Sequence, residues 1–136
     1  MKKKLLLLTV VFLAVFSLVG SASAQSYSFQ LDRQIVDVFW NEDGSASISY
    51  LFNFINEPYG AVIEYVDVGL PNTNFDESSI QAAVNGIPVY NISRADYQGN
   101  GDAGVAIGLG SESIQPGETG QVQVFVGSVN DVLYPD

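Results

Sequence analysis

The stretch "SISYLFNFINEPYGAVIEYVDVGLP", residues 47–71, decides the fold. Over its first part the side chains alternate. Ile48, Tyr50, Phe52 and Phe54 fall on one face, while Ser47, Ser49 and Asn53 fall on the other. A period of two is the signature of a half-buried strand, apolar inward and polar outward. The aromatic stripe is therefore expected to be core rather than a binding surface. "NEPYG" then places Pro58 and Gly60 in a loop, and "AVIEYVDVGLP" carries apolar residues at both parities, as a more buried strand or one lying between the two sheets does.

Working outward, the same period recurs on both sides. Upstream, "YSFQL" puts Tyr27, Phe29 and Leu31 in step, but "VDVFW" puts Val36, Val38 and Trp40 on the opposite parity. Side chains alternate strictly along a strand, so this switch predicts a bulge or a change of sheet near Arg33 and Gln34. "NEDGS" closes a hairpin, with Gly44 free to take the positive φ of a turn. Downstream, Ile80, Ala82 and Val84 point one way and meet an Asn85-Gly86 turn, the strongest short hairpin signal in the chain. A short helix over 76–84 is the competing reading of this segment. A Gly-rich loop, "YQGNGDAG", leads to Val105, Ile107 and Leu109, and "QPGETG" leads to Val122, Val124 and Val126. About seven short strands separated by turns describe an all-β, antiparallel two-sheet sandwich of Ig-like type. Phe29, Trp40, Tyr50, Phe52, Phe54, Val122 and Val124 are expected inside it.

The first 24 residues read differently. Three lysines precede an apolar run from Leu5 to Val19, and Ala22 and Ala24 supply the small residues of a signal-peptidase site before Gln25. About fifteen apolar residues is short of the roughly twenty that span a bilayer. The expectation is an exported protein, with residues 25–136 as its one folded domain. That domain keeps only two cations, Arg33 and Arg94, against fifteen acidic groups, a net charge of −13. Such a surface lacks the cations that bind phosphate backbones or anionic lipids, so neither nucleic acid nor membrane surface is an expected partner.

The layout of a signal peptide, "YSFQLDRQIVDVFWNEDGSASISYLFNF", "EYVDVGLP", a "VNGIPV" hairpin and a "QPGETG" strand entry resembles the N-terminal exported β-domain of uncharacterised bacterial membrane and cell-envelope proteins. The resemblance implies an Ig-like ectodomain followed by further extracellular sequence and transmembrane segments, and it carries no catalytic residues. "VLYPD" reads as the start of another extended segment, so the native protein is expected to be longer, with any membrane attachment lying after Asp136.

Chemistry is sparse. The chain has no His and no Cys, which excludes the common nucleophile–base pairs, thiol chemistry and soft-metal sites. "GVAIGLG" is glycine-rich but opens no helix, so its glycines are expected to relieve packing within a strand. Two carboxylate pairs could in principle run acid–base hydrolysis, Glu64 with Asp67 and Glu42 with Asp43. The first pair diverges by parity and the second sits in an exposed turn, so no enzyme is expected. Asp96, Asn100 and Asp102 offer oxygen ligands that would suit calcium as a cofactor, although the EF-hand spacing is not met. Asn91-Ile92-Ser93 matches a glycosylation acceptor, in a chain whose leader looks bacterial. Tyr59, Tyr90, Tyr97 and Tyr134 fall in or beside turns as scattered residues. The expectation is a non-catalytic structural or interaction domain of the cell envelope with a protein or glycan partner; the alternative is a carbohydrate-binding module, with or without calcium.

Overall fold

The computed structural model describes residues 26–133. The leader and Tyr134 lie outside them. Eight strands form two antiparallel sheets: β1 (Phe29–Trp40), β2 (Ala46–Asn56), β3 (Tyr65–Gly69), β4 (Ile80–Val84), β5 (Ile87–Val89), β6 (Asn91–Ser93), β7 (Gly104–Gly108) and β8 (Thr119–Val129). The larger sheet has the order β1-β2-β8-β4-β5 and the smaller β3-β7-β6. No helix among the described residues is long and apolar enough to cross a membrane.

The core lies between the sheets, where the alternation places it. Ile48, Tyr50, Phe52 and Phe54 of β2 are buried, the first three in register with the buried Val126, Val124 and Val122 of β8 and Phe54 opposite Gly120. Ile80, Ala82 and Val84 of β4 continue the layer, and Val66, Val68, Val105 and Ile107 face it from the smaller sheet. Tyr50 ties the two layers together, its hydroxyl donating to the Gly69 carbonyl at 3.0 Å. β7 is buried along nearly its whole length, Ala106 included, because it is the central strand of its sheet. Its glycines are there for close approach: a Cβ on Gly104 would lie 2.5 Å from the Val68 carbonyl, and one on Gly108 would meet the Asn91 side chain.

Burial raises the Tyr50 phenol above its ordinary value near 10. Because the neutral form is the one favoured in the fold, its contribution is complete below about pH 10 and is lost as pH climbs through the raised folded-state value. Urea midpoints are therefore expected to hold level up to about pH 10 and then decline. Tyr50→Phe should flatten that decline while costing about 1 kcal/mol at neutral pH for the lost hydrogen bond. An unchanged alkaline limb in the variant would remove Tyr50 as its source.

The turns follow the sequence reading. Gly44 (φ 85°) closes β1 onto β2, and Asn85 (φ 50°) with Gly86 (φ 83°) closes β4 onto β5 in the two-residue turn that requires positive φ at both positions. The competing helix over 76–84 reduces to one 3-10 turn, Glu77–Ser79, held by the Asp76 carboxylate accepting from the Ser78 amide. The strand count is one higher than expected, because β6, only three residues long, carries almost no alternation to read. The polar loop before β4 also buries one aromatic: Phe75 bridges to Val129, and Arg94 covers its ring with the guanidinium carbon 3.8 Å from the centroid. Arg94 also donates to the carbonyls of Thr73 (3.0 Å) and Phe75 (2.8 Å) and pairs with Glu77 at 3.7 Å. That cation is thus used in holding the loop to β6.

β1 departs from expectation most. The predicted parity switch is present as a bulge between Leu31 and Arg33, so "YSFQL" and "VDVFW" belong to one continuous twelve-residue strand. Phe29 and Trp40, expected in the core, are not buried: they are 45% and 61% exposed. The reason is geometric. Register places Phe29, Leu31, Val36, Val38 and Trp40 on the same face as the core stripe of β2, but the larger sheet has five strands and the smaller only three, and β1 is the margin strand, where the cover is incomplete.

Candidate functional site

β1 is exposed at every one of its twelve positions, on both faces. It is held only from one side. Its ladder to β2 runs its full length, and at the base Glu57 receives the Gln30 amide at 2.7 Å while its own N–H donates to the Ser28 carbonyl. At the tip, one Asp43 carboxylate oxygen accepts from the Ser45 amide (3.0 Å) and hydroxyl (2.7 Å), and these bonds hold the Asp43 carboxyl below the usual carboxylate range. Both ends of an otherwise uncovered strand are thereby fixed.

The open edge of β1 can be phased. Asn41 donates to the Ser45 carbonyl at 2.9 Å, so in steps of two Phe39, Asp37, Ile35 and Arg33 direct their backbone groups to β2. Gln34, Val36, Val38 and Trp40 then direct theirs outward, without a strand partner among the described residues. The opposite margin of the same sheet is different. β5 has three residues, and Pro88 carries the nitrogen that would point outward beyond the two-residue turn, with no N–H to offer. One edge is blunted and the other is long and open, with apolar side chains interrupted by Asp32, Arg33 and Asp37.

Below β1 the gap between the sheets forms a groove of about 440 Å³. Phe29 packs edge-on to Phe54 at 5.5 Å, Tyr27 edge-on to Tyr65 at 6.4 Å, and Phe52 and Phe54 form its inner wall. The groove is largely apolar and aromatic, with Asp67 at its wall and backbone hydrogen-bonding groups along the strand above it, which suits an extended peptide or a ring-bearing ligand.

The residues singled out in the sequence lie elsewhere. Asp96, Asn100 and Asp102 are exposed in the loop between β6 and β7, and among the described residues no three His, Cys, Asp or Glu side chains converge as metal ligands. Glu64 is exposed just before β3, while Asp67 within β3 accepts from the Gln98 amide at 3.4 Å. Glu42 and Asp43 occupy the exposed hairpin tip. Tyr59 and Tyr90 are exposed as isolated side chains, whereas Tyr97 is half-buried against the glycines of its loop. The β1 side was missed because Phe29 and Trp40 were assigned to the core. The signal available was the apolar character of β1 at both parities, Ile35 and Phe39 as well as Val36 and Val38. Comparison with family models, curated proteins and solved structures returns no match to this chain.

Proposed function

We propose that the protein is an exported, non-catalytic interaction domain of the cell envelope and that it binds through the open side formed by β1. The observation carrying this reading is a twelve-residue edge strand exposed on both faces, with Ile35, Val36, Val38, Phe39 and Trp40 all more than 40% exposed. Val36, Val38 and Trp40 share one face of the strand and Ile35 and Phe39 the other, and exposed apolar side chains on a long open edge are a liability unless something covers them. Export rests on the leader of residues 1–24, and the Ig-like assignment on two antiparallel sheets between which the chain crosses repeatedly. β8 lying between β2 and β4 departs from the A-B-E-D order of immunoglobulin sheets.

The test is site-specific photocrosslinking in the cells that make the protein. A crosslinker at Val38 is expected to give a discrete adduct, while one at Tyr59, exposed on a loop, is expected to give none. No adduct at Val38 would count against the reading. The exposed Trp40 ring, with the aromatic groove nearby, favours a carbohydrate-binding module as the second reading, since ring faces stack on apolar sugar faces. Millimolar-or-better binding to one sugar class on a glycan array, measured with and without calcium, would replace the first reading with the second.

A further inference from the structure

Building on that reading, we infer that the occupant of the β1 edge is the β1 edge of a second copy of this chain, paired antiparallel about a two-fold axis through Ile35. Charge fixes the choice. Of the two cations in the described chain, Arg94 is engaged with Glu77 and two loop carbonyls, while Arg33 is exposed on β1. Four residues on, and therefore on the same face of the strand, stands Asp37, also exposed. In an antiparallel pair of identical strands centred on Ile35, Arg33 of each copy lies opposite Asp37 of the other. Ile35 meets its own counterpart between the two ion pairs. Moving the centre to Arg33 or to Asp37 sets like charges against each other, and centring on Gln34 or Val36 leaves both charges opposite other residues. The register with Ile35 at its centre is the one that sets Arg33 of each copy against Asp37 of the other.

The backbone agrees with the same register. Gln34 and Val36 carry outward-facing N–H and C=O groups, and in this arrangement Gln34 of one copy lies opposite Val36 of the other as a hydrogen-bonded pair. Arg33 and Asp37 then fall at the non-hydrogen-bonded positions, where side chains approach most closely. The result is one ten-stranded sheet across two copies, closing the long edge as isologous two-fold contacts do. The Asp32 bulge limits the flat pairing to the segment beyond it, and two-fold pairing uses the β1 edge of both copies, so a closed dimer rather than an open-ended stack is the product.

Sedimentation of the purified, processed protein over a concentration series tests this. The wild type is expected to be in monomer–dimer equilibrium. Asp37→Arg and Arg33→Asp should each weaken the dimer by about tenfold or more, because each turns two attractions into two repulsions. The double exchange Arg33→Asp with Asp37→Arg should restore it to near the wild-type constant. These side chains are exposed, so circular dichroism should be unchanged in all three, and a variant that has lost its β spectrum is replaced by Arg33→Gln or Asp37→Asn, for which a smaller weakening is expected. A monomer at every concentration overturns the inference, as does a dimer indifferent to the exchanges. A Val38 crosslink to a partner of different mass would overturn it while leaving the interaction domain intact, and a Val38 adduct of twice the chain mass supports both.

Discussion

Phe52→Ala is expected to lower stability by about 3 kcal/mol, at the lower end of the cost of large-to-small changes at buried aromatics. The side chain is 7% exposed, stacks on Tyr50 at 5.9 Å with the rings 17° apart, and meets Phe54 at 6.2 Å. Across the sheet its register partners are Gln34 on β1 and Val122 on β8. Truncation removes the stack and the buried ring area together. The void it leaves adjoins the groove beneath β1 rather than forming a sealed cavity, so water can enter and the cavity contribution is small. Trp40→Ala, the largest side chain on the same sheet face, should cost less than about 1 kcal/mol, since most of its surface is already in water. Urea titration of the two variants checks both values. Equal costs would mean that a second layer covers β1 after all.

That comparison also shows how far the sequence could be read. Alternation located the faces of β2, β4 and β8 correctly, because each side-chain set faces one core and the period is fixed by backbone geometry. The Asn85-Gly86 turn was legible because few residue pairs accept two successive positive φ values. The parity switch in β1 announced a bulge or a change of sheet, and the continuous ladder to β2 shows it to be the bulge. What alternation cannot carry is the extent of the opposing layer. Phe29 and Trp40 point the same way as Phe54 and Phe52, yet whether anything lies across from them depends on how many strands the second sheet has. The candidate site lies in that gap. Phe75 escaped for a related reason: a lone aromatic in a polar loop has no period, and its burial depends on Arg94, nineteen residues later in the chain.

Asn56→Asp, a change of one atom type, is expected to be among the most destabilising substitutions at neutral pH. Asn56 ends β2 and is 1% exposed. Its amide nitrogen donates to the carbonyls of Ala61 (2.9 Å) and Ile114 (3.0 Å), joining three segments at one end of the sandwich. Its carbonyl oxygen is buried with no partner among the described residues, and Gly60 packs so closely that a Cβ there would lie 2.6 Å from it. A carboxylate in this position offers no donor to either carbonyl and has no cation beside it. Its charge would be uncompensated and buried, at a cost of about 3–5 kcal/mol. Protonation relieves most of this, because the acid O–H can donate to one of the two carbonyls, leaving a deficit on the order of 1 kcal/mol. The folded-state pKa of the new residue therefore lies above its unfolded value of about 4. With the protonated form favoured in the fold, the variant's stability relative to wild type is greatest below about pH 4 and falls as pH rises toward the folded-state value. Asn56→Leu, which lacks both donor and charge, should lose stability by an amount that does not vary with pH. Urea midpoints for the three proteins from about pH 3 to pH 8 decide the matter: a penalty for Asn56→Asp that stays level across that range would mean that water reaches the site and the end of β2 is open.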